Sequence, residues 1–177
     1  TAQYYDLIYS WKDYPKEASI LREIIELEKR SEGSRLLDVA CGTGLHMQYL
    51  GESFEVEGLD LDEELLELAR QRLPKGTFHH GDMIDFDLGV RFDAVVCLFS
   101  SIGYVKTKEK LQQAIACMAK HLVPGGVLLV EQRRVHRLVP GEFGGVQFER
   151  IALESSLFYV VSGLIGIVWP LGQFGSI

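Results

Sequence analysis

The sequence predicts a doubly wound α/β fold, in which a mostly parallel sheet carries helices on both faces. Short apolar runs alternate with amphipathic segments of helical period along most of the chain. This order produces parallel strands joined by crossover helices. The first apolar run ends in an acid and a Gly-Thr-Gly turn (residues 38–44), as expected where a buried strand meets a ligand. With 177 residues, 47% of them hydrophobic, the chain can bury the core of one domain.

The elements are predicted in chain order. Pro15 to Arg30 forms an amphipathic helix that Asp13 caps, with an apolar stripe of Ile20, Leu21, Ile24, Ile25 and Leu27. Strands are expected at 35–40, 55–61, 77–80, 92–99 and 127–132. Helices are expected at 44–50, 62–73 and 108–122, where Asp62 and Thr107 are the caps and residues 124–126 stop the last helix. Residues 133–177 read as a less regular tail.

Composition and charge limit the classes of partner that the protein is expected to bind. The net charge of −7 disfavours nucleic acid, because an acidic surface repels phosphate. The apolar run Leu157 to Trp169 has 13 residues, too few to cross a bilayer, and reads as two strands around Ser162-Gly163. The N-terminus lacks the pattern of a signal peptide. Three scattered cysteines form no metal or disulfide pattern. We therefore expect a cytoplasmic protein without a membrane or nucleic-acid partner.

The Gly-Thr-Gly turn matches neither of two common nucleotide-binding motifs. The dinucleotide fingerprint requires a small third residue, but Met47 follows Gly42 and Gly44 at that place. The phosphate-binding loop requires Gly-Lys-Ser/Thr, which is absent from the sequence. A carboxylate at Asp38 would also repel a pyrophosphate, whereas it suits a ligand that carries an ammonium group.

Two further acids follow the second and third predicted strands. Asp60 ends the second strand, where a carboxylate accepts hydrogen bonds from ribose hydroxyls. Asp82 ends the third strand and can accept from an adenine amino group, while Met83 offers an apolar wall. An ammonium, a ribose and an adenine together describe S-adenosylmethionine.

At this point the sequence resembles the class I S-adenosylmethionine-dependent methyltransferases, which have a Rossmann-like fold. The matching segments are DVACGTG (38–44), EGLDLDEELLELAR (57–70), GDM (81–83), FDAVVCLFSSIGY (92–104) and LVPGGVLLVE (122–131). The resemblance implies that Gly42 and Gly44 approach the amino-acid part of the cofactor, Asp60 its ribose, and Asp82 with Met83 its adenine. It also implies that Leu98, Phe99 and Ser100 lie near the methyl group. Ala40 and Leu61 complete the expected contacts.

Within this class the sequence is similar to the amino-sugar N,N-dimethyltransferases, on the segments YDLIYSWKDYPKEA (5–18), LLDVACGTGLH (36–46), HHGDMIDFDLG (79–89) and FSSIGY (99–104). The resemblance implies N-methylation of a small-molecule amine, such as a nucleotide-linked amino sugar. Tyr104 is the predicted catalytic residue, because a phenol beside the methyl group can take the proton of the amine. Tyr5, Tyr9 and Tyr14 are predicted to close over the cofactor. The domain is expected to comprise a helical cover (1–34), a cofactor-binding core (35–132) and a C-terminal tail with short strands (133–177).

Other functions stay open at this stage. The chain could be a cofactor-binding subunit without catalysis, with residues 157–169 forming a homodimer surface, because few residues follow the fifth strand. An NAD-dependent oxidoreductase is disfavoured, since Asp38 has no role there. No metal is expected, because His79 and His80 lack a third ligand. His46 is expected at a surface or pocket rim, and His121 in solvent.

Overall fold

The computed structural model describes residues 4–133, 142–143, 146–147, 149–153 and 156–162, and the side chains of residues 4–131. The helices in this part of the chain are α1 (Tyr5–Ile8), α2 (Tyr14–Glu28), α3 (Leu45–Leu50), α4 (Glu63–Arg72) and α5 (Lys108–Lys120), and a 3-10 helix covers Ser101–Tyr104. The strands are β1 (Arg35–Val39), β2 (Glu55–Asp60), β3 (Thr77–His80), β4 (Phe92–Cys97), β5 (Leu122–Arg133), β6 (Glu142–Phe143), β7 (Val146–Gln147), β8 (Glu149–Leu153) and β9 (Ser156–Ser162). No described helix is long and apolar enough to span a membrane.

The sheet confirms the predicted doubly wound fold. Its strand order is β3-β2-β1-β4-β5-β9-β8, and the first five strands along the chain pair in parallel. Strand β9 adds antiparallel to β5, and β8 adds antiparallel to β9. The chain reverses its direction of winding between β1 and β4. In sheets of this kind the crevice at such a reversal is where ligands bind.

Alternate residues of the central strands pack on opposite faces of the sheet. Leu36 and Val96 face α2, whereas Leu37 and Val95 face α5. All six residues of β4 are buried, which explains why that strand reads as a continuous apolar run instead of an alternating one. The two apolar layers fix the strands rigidly, so the loops at their carboxyl ends start from defined positions.

Helix α2 keeps its predicted cap but not its whole predicted stripe. The Asp13 side chain accepts a hydrogen bond from the Lys16 backbone N–H at 3.1 Å. Leu21 and Ile25 are buried as predicted, but Leu27 is 69% exposed. The reason is helical geometry: two residues beyond Ile25 the helix has turned by about 200°, toward solvent.

The N-cap of α2 supplies the first testable prediction. Asp13→Ala removes the acceptor for the Lys16 N–H and leaves that donor unsatisfied, so we expect the free energy of unfolding to fall by about 1 kcal/mol. Urea denaturation monitored by circular dichroism measures this change. The control is Asp13→Asn, whose side-chain oxygen can still cap the helix. Equal destabilisation by both substitutions would contradict a capping role.

Several predicted strand and helix ends differ from the structure. Strand β1 ends at Val39 and β4 at Cys97, because Ala40 and Phe99 adopt positive φ angles of 62° and 54°. Helix α5 ends at Lys120, before the predicted stop at residues 124–126. These residues instead lie within β5, which begins at Leu122, and the pairing with β4 shifts register there. The Gly125 carbonyl accepts from two backbone N–H groups of the α2–β1 connection. The C-terminal half of Leu157 to Trp169 lies outside the described residues.

Candidate functional site

The ends of β1 and β2 bring the glycine loop and the second predicted acid together. The Gly42 backbone N–H donates to Asp60 Oδ2 at 2.7 Å, and the Asp62 N–H donates to Asp60 Oδ1 at 2.9 Å. Burial raises the pKa of Asp60, and these backbone donors oppose that rise. Each carboxylate oxygen keeps a further lone pair. Asp60 thus anchors the loop and can still accept hydrogen bonds from a ligand.

The loop that follows β1 depends on its two glycines. Gly42 and Gly44 have φ angles of +56° and +75°, in the left-handed region that side chains disfavour. A Cβ at Gly44 would lie 3.4 Å from Ala69 Cβ, in van der Waals contact, so the positive φ and not lack of space favours glycine there. Residues 41–44 are buried, and the Gly42 and Gly44 N–H groups donate to Asp60 and to the Cys41 carbonyl. The contact of both glycines with a cofactor stays a prediction.

Asp38 is the most unusual residue of the site. Its side chain is 1% exposed, and neither carboxyl oxygen has a hydrogen-bond partner among the described residues. Burial, followed by the neighbouring charge of Asp60, raises the pKa of Asp38 to about 8. A buried carboxyl without a partner is costly. A ligand ammonium group would compensate for that cost by ionising the acid and pairing with it.

Asp82 and Met83 lie beyond the third strand, not at its end. Strand β3 stops at His80, and the Gly81 N–H donates to the Asp60 carbonyl at 3.0 Å. Asp82 Oδ1 accepts from the Ile84 N–H at 3.2 Å, which turns the chain, while half-buried Met83 packs on the core. This turn places both residues beside the end of β2, where the adenine of a nucleotide would lie if Asp60 held its ribose.

Two of the three N-terminal tyrosines reach the site. Tyr5 contacts Gly42 closely enough that an added Cβ there would lie 3.9 Å from its ring, and Tyr9 packs edge-on against Phe99 at 4.7 Å. Tyr14 instead packs inside the protein, 4.9 Å from the His46 ring. Burial raises the pKa of Tyr5 above its usual range and that of Tyr14 to about 12. Both phenols therefore stay protonated.

The N-terminal segment is tied to the glycine loop by polar contacts. Thr43 Oγ1 donates to Asp6 Oδ1 at 2.6 Å. Arg72 forms an ion pair with Asp6 and donates to the Thr43 carbonyl. Helix α1 is therefore tied to the glycine loop through the Asp6 carboxylate.

The residues after β4 occupy different environments. Leu98 is buried in the core cluster on the α2 face, so it supports the site from below. Phe99 and Ser100 both adopt left-handed conformations, which are strained for residues with side chains. Tyr104 is 80% exposed at the end of the 3-10 helix, and Leu61 is 62% exposed after β2. Ala40 stands at the start of the glycine loop, where its N–H donates to the Leu59 carbonyl.

Sequence reasoning missed a buried polar cluster beside the site. Lys12 Nζ lies 2.9 Å from Glu17 Oε2 and 3.8 Å above the Phe99 ring, and His46 Nε2 lies 2.8 Å from the same Glu17 oxygen. Burial opposes ionisation of Glu17, yet its hydrogen bonds from His46 and Lys12 hold its pKa below its usual value. The placement of His46 at a surface or rim was wrong, because this cluster buries it.

Another missed residue supports the strained turn. Glu131, near the end of β5, accepts a hydrogen bond from the Phe99 N–H at 2.7 Å. In the sequence it reads only as the last acid of an apolar strand. The two predicted strand-end histidines have protein partners: His79 Nε2 lies 2.8 Å from Glu57, and His80 Nε2 lies 3.0 Å from the Leu61 carbonyl. In the described part of the chain no three potential ligands group as a metal site.

The fold and this site define a class of protein: Rossmann-like α/β proteins that bind a nucleoside ligand at the carboxyl edge of the sheet. The particular family follows from sequence comparison. The profile of the methyltransferase domain matches residues 36–126, and the chain belongs to that family.

Relatives agree with this assignment. The chain is 50% identical over 133 residues to a dTDP-3-amino-3,4,6-trideoxy-alpha-D-glucopyranose N,N-dimethyltransferase of Streptomyces venezuelae, covering 73% of this chain and 56% of that protein. The Streptomyces venezuelae DesVI crystal structure matches with TM-score 0.72 and 42% identity, covering 93% and 71% of the two chains. CalS10, an amino pentose methyltransferase from Micromonospora echinaspora solved with S-adenosylmethionine, matches with TM-score 0.70 and 39% identity over 92% and 70%.

These matches confirm the predicted resemblance to amino-sugar N,N-dimethyltransferases. The chain spans about half the length of the curated relatives it matches. The part that matches the family, residues 36–126, contains the glycine loop and strands β2, β3 and β4.

Proposed function

We propose that this chain is the cofactor-binding part of an S-adenosylmethionine-dependent methyltransferase that methylates the amino group of a nucleotide-linked amino sugar. The observation that carries the proposal is the unpartnered, buried Asp38 beside the glycine loop. Its carboxyl chemistry fits the ammonium of a methionine-derived cofactor. The names of the relatives at 40–50% identity support the acceptor class.

Different residues of the site would bind different parts of the cofactor. Asp38 would pair with the ammonium, directly or through water, and the Gly42 to Gly44 loop would approach the amino-acid part. Asp60 would accept from the ribose hydroxyls, and Asp82 with Met83 would hold the adenine. Tyr5 and Tyr9 would cover the bound cofactor from the N-terminal side.

Binding and alignment are the main tasks of the protein in this chemistry. When bound, S-adenosylmethionine supplies a methyl group on a positively charged sulfur, which an uncharged amine displaces in line. Phe99 and Ser100 would border the amine. Holding the reacting atoms in line can contribute several kcal/mol. The Tyr104 hydroxyl oxygen would accept a hydrogen bond from the amine and pass a proton to water at its exposed edge.

The role of Tyr104 is tested with Tyr104→Phe. We expect kcat for methylation of a dTDP-linked amino sugar to fall about tenfold. This is less than a typical general-base effect, because water can also accept the proton at this exposed position. Mass spectrometry of the sugar product measures the added methyl groups. Affinity for S-adenosylhomocysteine is the control and should not change. An unchanged kcat would remove Tyr104 from the mechanism.

The proposal extends to the domain organisation, the cell compartment and the oligomeric state of the protein. Residues 1–177 form one methyltransferase domain with a cover (1–34), a core (35–132) and a tail (133–177). The enzyme acts in the cytoplasm, as supported by three free, buried cysteines.

A homodimer through residues 157–169 would appear in light scattering as a mass that rises with concentration, and a constant monomer mass would exclude it.

A further inference from the structure

The loop between β3 and β4 (residues 81–91, the β3–β4 loop) is fastened to the end of α5. Cys117 Sγ lies 3.3 Å from the Phe86 nitrogen and 3.2 Å from the Phe86 oxygen, accepting from one and donating to the other. His121 Nε2 accepts from the Leu88 N–H at 3.2 Å. The His121 ring also stacks on the Phe86 ring, with centroids 4.3 Å apart and planes 23° apart.

His121 is itself held in one state by its partners. Its Nδ1 lies 2.8 Å from the Cys117 carbonyl, which can only accept, so Nδ1 carries the proton and Nε2 is the acceptor. The ring is buried, with 4% of the residue exposed, so its placement in solvent from the sequence was wrong. The His121 carbonyl accepts from the Phe92 N–H at 2.7 Å. One residue therefore joins α5, the β3–β4 loop and the start of β4.

The same loop carries the residues assigned to the adenine. Asp82 and Met83 lie on its first turn, and the Gly81 N–H ties that end to the Asp60 carbonyl. The Asp85 N–H closes the turn on the Asp82 carbonyl at 3.0 Å. The loop is thus fixed at one end by β2 and at the other by Cys117 and His121, so loss of the second anchor leaves the turn free to shift.

We propose that His121 is a positioning residue for adenine recognition: from behind the β3–β4 loop it holds Asp82 and Met83 where they read the adenine amino group. This inference rests on the proposed function, since it assumes an S-adenosyl ligand. His121 does not touch the ligand. Its hydrogen bond to Leu88 and its stack on Phe86 act through the backbone of the loop.

The test compares two ligands that differ only at the adenine amino group. S-adenosylhomocysteine has the amino donor, whereas its purine-riboside analogue carries a hydrogen there and keeps the N1 acceptor. Calorimetry should show that the wild-type protein binds the adenosyl compound about five to ten times more tightly, the factor expected for one hydrogen bond. His121→Phe keeps an aromatic ring against Phe86 but loses both hydrogen bonds, so this ratio should fall toward one. His121→Gln, whose Oε1 can accept from the Leu88 N–H in place of Nε2, should recover part of it.

Controls separate positioning from general loss of stability. Ile25→Val weakens packing on the opposite face of the sheet and should leave the ratio unchanged. If His121→Phe does not fold, Cys117→Ala removes the other anchor of the loop and should also lower the ratio. An unchanged ratio in the folded His121→Phe or Cys117→Ala protein would overturn the proposal. Equal affinity of the wild-type protein for both ligands would do the same. Binding of neither ligand would instead contradict the proposed function.

Discussion

We expect Asp38→Asn to remove a pH dependence of stability that the wild-type protein should show between pH 4 and pH 8. Burial raises the pKa of Asp38 to about 8, against about 3.9 in an unfolded chain. Because the folded-state pKa is the higher one, the contribution of Asp38 to stability is complete below pH 4 and is lost as the pH rises to 8. The loss should be on the order of 5 kcal/mol at most. Urea denaturation of both proteins across this range measures the difference.

The quantity to compare is the free energy of unfolding of the wild-type protein minus that of Asp38→Asn. Because the other groups titrate alike in both proteins, their contributions cancel in this difference. This difference should decrease steadily from pH 4 to pH 8. Asp87→Asn, which changes an 84% exposed carboxylate, is the control and should follow the wild-type curve. A difference that does not vary with pH would mean that the Asp38 carboxyl ionises as easily in the folded protein as in the unfolded chain.

In the proposed function the same carboxyl would link ligand binding to proton release. If the ligand ammonium pairs with the ionised form of Asp38, affinity of the wild-type protein for S-adenosylhomocysteine should rise up to about tenfold per pH unit between pH 6 and 8. Calorimetry in two buffers of different ionisation enthalpy should show about one proton released. Asp38→Asn should bind more weakly at pH 8 and show neither effect. An identical slope in both proteins would contradict pairing of Asp38 with the ammonium.

Asp60→Ala is expected to weaken S-adenosylhomocysteine binding by about ten- to a hundredfold. The variant loses the charge-assisted acceptors for the ribose hydroxyls. It also frees the Gly42 and Asp62 N–H groups, whose hydrogen bonds of 2.7 and 2.9 Å order the glycine loop. Calorimetric titration measures the change, and thermal unfolding establishes that the variant is folded.

Ribose contact and loop ordering are separated by a ligand that lacks the 2′-hydroxyl. The wild-type protein should prefer S-adenosylhomocysteine over its 2′-deoxy analogue, and Asp60→Ala should lose that preference. Asp60→Asn keeps one oxygen for a backbone N–H, so it should order the loop better than the alanine variant does. If Asp60→Ala binds S-adenosylhomocysteine as tightly as the wild-type protein, Asp60 is not the ribose residue.

The features that the sequence predicted are those that depend on local pattern. Alternation of apolar runs with amphipathic segments predicted the parallel sheet. The parallel pairing of β1 with β2 brings Asp38 and Asp60, near the carboxyl ends of the two strands, close together. The glycine loop could be predicted because glycine adopts positive φ angles without steric strain, and Gly42 and Gly44 both have such angles. The helix caps at Asp13 and Asp62 were likewise local, since each bonds to a backbone N–H within three residues.

The features that the sequence did not reveal are pairings between distant segments. Lys12 and His46 both contact the Glu17 carboxylate because α2 packs against α3. No spacing in the sequence predicts that contact. His121 is buried because the β3–β4 loop folds onto the end of α5. Pattern alone placed both histidines in or near solvent, since a lone histidine near a helix end is usually exposed.

The most direct test of the proposed function is a calorimetric titration of the folded wild-type protein with S-adenosylhomocysteine, with NADH as the comparison ligand. The account predicts micromolar binding of S-adenosylhomocysteine and no binding of NADH. Absence of S-adenosylhomocysteine binding, or low-micromolar binding of NADH, would contradict the assignment of Asp38, the glycine loop and Asp60 to a methyltransferase cofactor.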